Sequence, residues 1–104
     1  MPVSEFTTIW EFYVKADVLT QFEKIYGPEG DWAKLFRRSP EYRGTVLVRD
    51  ADRRGRYLTL DHWTSRETLQ QFKRDHHADY ASLDKKCENL TEREIFLGDF
   101  EAVI

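Results

Sequence analysis

The sequence predicts an α+β domain in which four strands and two helices follow the order β-α-β-β-α-β. Three observations predict this class. Runs of β-branched and aromatic residues alternate along the chain with stretches whose apolar residues recur at helical spacing. A glycine-containing turn joins the two central runs as a hairpin. The length of 104 residues, of which 40% are hydrophobic, suits one domain over residues 1–104.

The first strand is predicted over residues 6–14, which are mostly β-branched or aromatic. Asp17 is placed to cap a following helix over residues 18–26. A shorter helical segment starts at Asp31 and ends before Pro40. Successive side chains of a strand point to opposite faces, and both faces of this strand are apolar. One face carries Phe6, Trp10, Phe12 and Val14, and the other carries Ile9 and Tyr13.

A hairpin follows the helical segments. Residues 42–49 and 56–63 are its predicted strands, and Gly55 in the turn between them is available for a positive φ. Thr64 and Glu67 then form a predicted capping box, in which each side chain serves the other's backbone N–H. The second helix is expected to begin there.

This second helix is predicted to run to about residue 88, because its apolar stripe never changes phase. His76 lies on the stripe and titrates nearest neutral pH, which makes it the first candidate for chemistry. A core histidine bonded to a carbonyl or a strand carboxylate is the other interpretation. A last strand is predicted over residues 94–103. The stripe has spacings of 3, 4, 4, 3 and 4: Leu69, Phe72, His76, Tyr80, Leu83 and Cys87.

This order of elements predicts the ferredoxin-like arrangement, because right-handed crossovers place both helices on one side of an antiparallel sheet. The helices can cover only one face, yet the strands carry apolar groups on both. A second copy packed sheet to sheet about a two-fold axis would close the other face, so we predict a homodimer. Its apolar sheet face would include several of Phe6, Trp10, Phe12, Val46, Val48, Phe96 and Phe100.

Composition excludes several classes of function. The net charge is −3 with both signs interspersed, so we expect neither nucleic-acid nor membrane binding. No stretch has the length of a membrane span, and no targeting segment is recognisable, so we expect a cytoplasmic protein. Cys87 is the single cysteine, and its place on the stripe predicts a buried hydrophobe rather than a nucleophile. No phosphate-binding glycine loop or Ser-His-Asp order is present.

Three segments carry a resemblance to a known family. They are the Lys15-Ala16-Asp17 turn before a helix with Phe22, the strand that ends in Trp63 before Thr64-Ser65, and the closing stretch from Leu90 to Phe100. With them the chain resembles the antibiotic biosynthesis monooxygenase family of dimeric α/β barrels. That family includes cofactor-independent oxygenases, heme-degrading enzymes and quinol oxygenases.

The resemblance implies a pocket between the sheet and the helices of each protomer, with Trp63 in its lining. Strand alternation puts Thr59 and Asp61 on the face of Trp63 and puts His62 on the opposite face. On this interpretation His76 is the base that deprotonates a phenol or quinol before O2 attacks, and Trp63 belongs to a dry wall around it. The substrate-binding candidates are Glu11, Tyr13, Thr59, Asp61, Phe72 and Tyr80, with Tyr13 or Tyr80 orienting an oxygen.

One departure from the family narrows the expected chemistry. The oxygenases pair the strand tryptophan with an asparagine, whereas the one asparagine of this chain, Asn89, follows the second helix. Thr59 stands where such an asparagine could sit, so heme degradation and the asparagine-dependent mechanism are both disfavoured. We expect no cofactor and no metal, because His62 and Asp61 face opposite sides of a strand and do not converge with His76.

The leading functional prediction is a cofactor-independent monooxygenase-type enzyme that acts on a small aromatic or quinol-like molecule. Two alternatives use the same pocket. One is a non-catalytic dimer that binds a small apolar ligand. The other is a proton-transfer enzyme, similar to an isomerase or cyclase, that needs no oxygen.

Overall fold

One antiparallel sheet organises the chain, and the structure, a computed structural model, describes residues 5–103. The strands lie in the order β2-β3-β1-β4. The predicted α+β, ferredoxin-like arrangement is confirmed, with the second helix divided in two. The elements are β1 (Phe6–Val14), α1 (Leu19–Tyr26), α2 (Asp31–Phe36), β2 (Tyr42–Arg49), β3 (Arg56–Trp63), α3 (Arg66–Asp75), α4 (His77–Cys87) and β4 (Thr91–Glu101).

The helix predicted to run without interruption to about residue 88 is broken at His76, where φ is −120° and ψ is 30°. The His76 N–H still donates to the Phe72 carbonyl, and the Tyr80 N–H to the His76 carbonyl, each at 2.9 Å. The helical hydrogen bonds therefore continue across a change of direction. This change allows α3 to pack on the sheet, Phe72 against Trp63, while α4 packs on α2.

The capping box of α3 lies one residue later than predicted. The Ser65 hydroxyl accepts from the Thr68 N–H at 3.2 Å, and the Thr68 hydroxyl accepts from the Ser65 N–H at 3.3 Å. The Thr64 hydroxyl instead donates to the Glu41 carboxylate at 2.8 Å, and Ser65 is the N-cap residue. The predicted box of Thr64 and Glu67 is therefore wrong, although the motif type is right.

Two further boundaries differ from the prediction. The helix cap by Asp17 is wrong, because a turn from the Val18 N–H to the Lys15 carbonyl takes up this residue, and α1 begins only after Val18. The last strand spans Thr91–Glu101 instead of residues 94–103. The central hairpin follows the prediction, with Gly55 at a φ of 90°.

The register of the strands decides which side chains face the helices. Trp10 lies opposite Thr59, and Phe6 lies opposite Trp63, so alternate residues of β1 and β3 share the covered face. Phe12 of this set packs on α1 through Phe22 at 5.3 Å between ring centroids. The covered face is therefore the aromatic core.

The other sheet face has no helix on it among the described elements. Val46, Val48 and Phe100 lie there and are 46%, 40% and 49% exposed. The prediction that Phe6, Trp10 and Phe12 belong to the uncovered apolar face is wrong, because the register places them under the helices. The apolar residues predicted for the uncovered face thus lie on both sides of the sheet. The exposed apolar area of that face is therefore smaller than predicted.

A bulge in β4 shifts its register within this sheet. Ile9 pairs with Gly98, whereas the next residue of β1, Trp10, pairs with Phe96. Gly98 has a φ of 145°, a conformation that favours glycine because it has no Cβ. The extra residue, Leu97, therefore reverses the alternation of β4, so that Phe96 lies beside Trp10 at 5.2 Å on the helix side.

Candidate active site

A cavity of about 160 Å³ lies between the sheet and helices α2 and α4. Its inner end is formed by buried side chains of β3, and its outer end by exposed side chains of α4 and β4. The residues that line it are Trp10, Phe12, Tyr26, Trp32, Phe36, Thr59, Asp61, Tyr80, Asp84 and Glu94.

Asp61 is the buried carboxylate at the inner end of the cavity, with 9% of the residue exposed. Its Oδ1 accepts a hydrogen bond from the Thr45 hydroxyl at 2.6 Å. Because the one proton of Thr45 is used there, the Tyr42 hydroxyl is the donor in its 2.5 Å contact with Thr45. These two side chains fix the carboxylate and leave Oδ2 with no hydrogen bond from any described residue.

Burial changes the acidity of this group. Desolvation raises the pKa of Asp61 to about 6, against the opposing effects of the Thr45 hydrogen bond and the Lys73 charge. A carboxyl group with this pKa is mostly ionised at neutral pH and can still hold a proton during a reaction. Asp61 therefore has the acidity of a general base or acid.

Two more carboxylates stand at the outer end, Asp84 on α4 and Glu94 on β4. Desolvation, and next the charge of Asp84, raise the pKa of Glu94. Burial raises the pKa of Tyr80 to about 12, and the charges of Asp84, Asp61 and Glu94 act in the same direction. The Tyr80 hydroxyl thus lies in the electrostatic field of three carboxylates around the cavity.

The walls between the two ends are aromatic. Trp32 meets Tyr80 edge to face at 5.1 Å, and Phe12 meets Tyr26 edge to face at 5.0 Å between centroids. These contacts hold the rings in fixed orientations. A flat organic molecule therefore has aromatic surfaces to pack against, with carboxylates at both ends.

The arrangement of elements is shared with solved structures. A mutant of SnoaB, a cofactor-independent oxygenase from Streptomyces nogalater, superposes with a TM-score of 0.78 at 20% identity, covering 96% of this chain and 94% of that one. MhuD, a heme-degrader from Mycobacterium tuberculosis, gives 0.70 at 24% identity over 95% and 96%. A third structure, an antibiotic biosynthesis monooxygenase, gives 0.66 at 14% identity over 95% and 99%. The chain has the antibiotic biosynthesis monooxygenase fold. No family model matches its sequence, and no curated protein does.

Within this monooxygenase fold, three of the residues predicted for the site line the cavity. They are Thr59 and Asp61, which alternation placed correctly on the helix side, and Tyr80 from α4. His62 lies on the opposite face, where its Nδ1 is 2.9 Å from the Thr7 hydroxyl. The alternation of β3 therefore predicts correctly on which side of the sheet each of these side chains lies.

Three other predicted residues lie beside the cavity and not in its lining. Trp63 is fully buried among aromatic neighbours that include Phe36 and Phe72, each within 5.6 Å. The His76 ring packs on Phe72 at 4.8 Å between centroids. Trp63 and Phe72 thus belong to the buried core behind the cavity wall, and the partly exposed His76 packs against it.

Glu11 and Tyr13 were expected to face the pocket, and this is wrong because β1 presents the opposite alternation to the helices. Glu11 is buried on the other face through a contact of 2.6 Å with Arg56. The Tyr13 ring lies between the guanidinium groups of Arg53 and Arg93, at 4.8 and 4.7 Å. Both side chains already have partners outside the cavity.

Two lining residues that the sequence analysis does not assign to the site, Trp10 and Asp84, have signals in the sequence. Trp10 shares the alternation of Phe6 and Phe12, which were recognised as one face but given to the wrong side. Tyr80 and Asp84 are four residues apart and so project from the same side of α4. Glu94 had no usable signal, because the bulge after it changes which alternation faces inward.

Proposed function

We propose that this chain is an enzyme that oxygenates a small aromatic or quinol-like molecule, with O2 as co-substrate and without a cofactor. One observation carries the proposal: Asp61, an oriented buried carboxylate with its pKa near 6, lies at the inner end of an aromatic cavity. The fold shared with cofactor-independent oxygenases supports the same class of chemistry. The cavity is the place where the substrate would bind.

Asp61 is the proton acceptor in this proposal, in place of His76. The cavity lining includes Asp61 and excludes His76, which packs on Phe72. Thr45, itself held by the Tyr42 hydroxyl, donates to one oxygen of the carboxylate and leaves Oδ2 to take a proton from a ligand hydroxyl. This arrangement supports the carboxylate as the general base.

The reaction can be written for a quinol that has a hydrogen on the adjacent ring carbon. Asp61 removes the hydroxyl proton, an electron passes from the quinolate to O2, and the two radicals join in a carbon–oxygen bond. The peroxide takes the proton back from Asp61. Loss of the ring hydrogen as a proton and cleavage of the O–O bond then give water and a carbonyl. Quinol and O2 become hydroxyquinone and water, with all four electrons supplied by the ring.

Oxygen uptake with 1,4-dihydroxynaphthalene tests this proposal. Equal amounts of quinol and O2 should be consumed, the product should be 2-hydroxy-1,4-naphthoquinone, and little hydrogen peroxide should form. Uncatalysed oxidation is the control, because it yields the unsubstituted quinone together with peroxide. A rate that equals this control contradicts the proposal. Conversion of a carbonyl substrate at the same rate without air would favour a proton-transfer enzyme instead.

We also propose that two copies join through the uncovered sheet face. The exposed apolar side chains of Val46, Val48 and Phe100 support this, because apolar side chains exposed on one sheet face favour association. Edge strand β2 brings two of them to the rim of the sheet, where unpaired backbone groups also favour contact with another chain.

The mass in solution checks the dimer. Wild type at micromolar concentration should scatter light as two copies, and Val48→Lys should shift it toward one copy because it places a charge in the contact. Gln70→Lys, on the exposed side of α3, is the matched control and should leave the mass unchanged. A compact single copy for wild type would disprove the dimer.

A further inference from the structure

We infer that the ligand of the cavity is a small organic cation, a protonated amine attached to an aromatic ring. The inference names the substrate class of the proposed enzyme and rests on that function only where turnover is concerned. Four properties of the cavity support the inference: its charge, its aromatic walls, the carboxylate at its inner end and its volume. Each of them favours the same class of molecule.

The charge of the lining is negative. Asp61, Asp84 and Glu94 line the cavity, and no lysine, arginine or histidine is among its lining residues. A cation that acts on the cavity is Lys73 of α3, whose ammonium lies 5.6 Å from the centroid of the Tyr80 ring and lowers the pKa of Asp61. One exposed lysine against three carboxylates leaves an electrostatic potential that attracts a cation and opposes an anion.

The aromatic walls of the cavity also favour a bound cation. The electron-rich faces of Trp10, Trp32 and Tyr80 attract an ammonium group within about 6 Å of a ring centroid. The ammonium of Lys73 already makes this kind of contact with Tyr80 from the protein itself. Aromatic rings combined with carboxylates are the usual surroundings of a bound organic ammonium.

The inner end has an unfilled acceptor. Asp61 is nine-tenths buried, and its Oδ2 has no hydrogen bond from a described residue. A buried ionised carboxylate is costly unless its charge is matched, so a donor with positive charge is the partner that satisfies it. Among residues 5–103, no group of three histidine, cysteine, aspartate or glutamate side chains is arranged to hold a metal ion.

The volume limits the size of the ligand. A cavity of about 160 Å³ is close to the ~150 Å³ of an apolar protein cavity that binds benzene. One aromatic ring therefore fills it, and a second ring or a side chain would extend toward the exposed carboxylates. A heme or a tetracyclic molecule is far larger than this space.

The negative charge of the lining also affects how easily a substrate hydroxyl loses its proton. Three carboxylates oppose the formation of a phenolate in the cavity, as they do for the Tyr80 phenol, whose pKa is raised to about 12 by burial first and by these charges next. A substrate that brings its own ammonium offsets this effect, because the positive charge stabilises the anion formed on the ring. An amine-bearing phenol or quinol thus fits both the binding and the reaction.

Three probes of one ring and matched chain length test the inference: phenethylamine, 2-phenylethanol and 3-phenylpropanoate. Their affinities are measured at low ionic strength by tryptophan fluorescence or calorimetry, without any turnover. The amine should bind at least about tenfold more tightly than the acid, with the alcohol between them. Added salt should lower the affinity for the amine and leave the affinity for the alcohol nearly unchanged.

Variants locate the effect in the cavity. Glu94→Gln should reduce the affinity for phenethylamine about two- to fivefold and leave 2-phenylethanol unaffected, since Glu94 is exposed. Glu92→Gln is the matched control, because it removes the same charge from the same strand outside the lining. Equal affinities for the amine and the acid, or an equal response of both variants, would overturn the inference. Oxygen uptake by a neutral quinol, without any amine preference, would overturn it and leave the proposed function standing.

Discussion

Replacing Asp61 by Asn should reduce the rate of 1,4-dihydroxynaphthalene oxygenation by about a hundredfold or more, because the amide cannot accept the hydroxyl proton. Asn keeps the size of the side chain and still offers an oxygen to the Thr45 hydroxyl. The local structure should therefore survive the change. Initial rates of oxygen uptake, with the uncatalysed rate subtracted, provide the measurement.

The pH dependence gives this prediction a second readout. Asp61 acts as a base only when ionised, so the wild-type rate should rise as pH increases through about 6, the pKa of the group. The residual rate of the Asn variant should lack this step. His76→Gln is the matched control and should keep both the rate and the pH profile. Loss of activity in His76→Gln, with Asp61→Asn active, would return the role of base to the histidine.

The same pKa shift predicts a gain of stability in the inactive variant. The pKa of Asp61 is raised in the folded state from 3.8 to about 6, so the unfolded chain binds fewer protons between these values. The free energy of unfolding of wild type should therefore fall as pH rises from about 4 to 6, by about 3 kcal/mol at most for this group. Asp61→Asn removes this loss and should unfold at a higher temperature than wild type at pH 7. A lower unfolding temperature would show that the carboxylate stabilises the fold.

Trp63→Ala should lower the free energy of unfolding by about 3–5 kcal/mol, the largest stability effect expected from a single change in this chain. The side chain is fully buried and packs on Phe36, Tyr42 and Phe72 at 5.4–5.6 Å between ring centroids. It joins β3 to α2 and α3 at once, so its removal leaves a cavity that rigid neighbours cannot fill. Urea unfolding with an unchanged slope measures the effect.

A milder variant separates packing from catalysis at this position. Trp63→Phe keeps most of the buried aromatic surface, so its turnover should stay close to that of wild type once the protein is folded. Trp10→Phe, a change of the same kind within the cavity lining, should alter the Michaelis constant instead. A large loss of turnover in Trp63→Phe would show that the indole takes part in the reaction.

The sequence predicts the fold well because its elements have strong local signals. The hairpin is specified by Gly55 between two runs of alternating apolar residues, and the alternation of β3 places Thr59 and Asp61 on the helix side. β1 is different, because both of its faces are apolar and period-two spacing alone cannot say which one meets the helices. The pairing of β1 with β3 decides which face meets the helices, and this pairing is a tertiary property. It places Glu11 and Tyr13 on the face away from the cavity.

The position of His76 shows a second limit. A stripe of constant spacing is compatible with one straight helix or with two helices joined at an angle, since local periodicity contains no information on direction. The break at His76 is set by what each half contacts: the sheet for α3 and the helix α2 for α4. The histidine consequently lies behind Phe72, whereas Tyr80 and Asp84 reach the cavity.

The bulge in β4 decides which side chains form the mouth of the cavity. In a regular ladder, with Gly98 still opposite Ile9, Leu97 would pair with Trp10 and each residue before it would move one place along β1. Ile95 would then stand opposite Phe12 where Glu94 now stands, and an acidic entrance would become an apolar one. The single unpaired residue of an outer strand thus sets the charge of the entrance while every residue of the cavity floor stays the same.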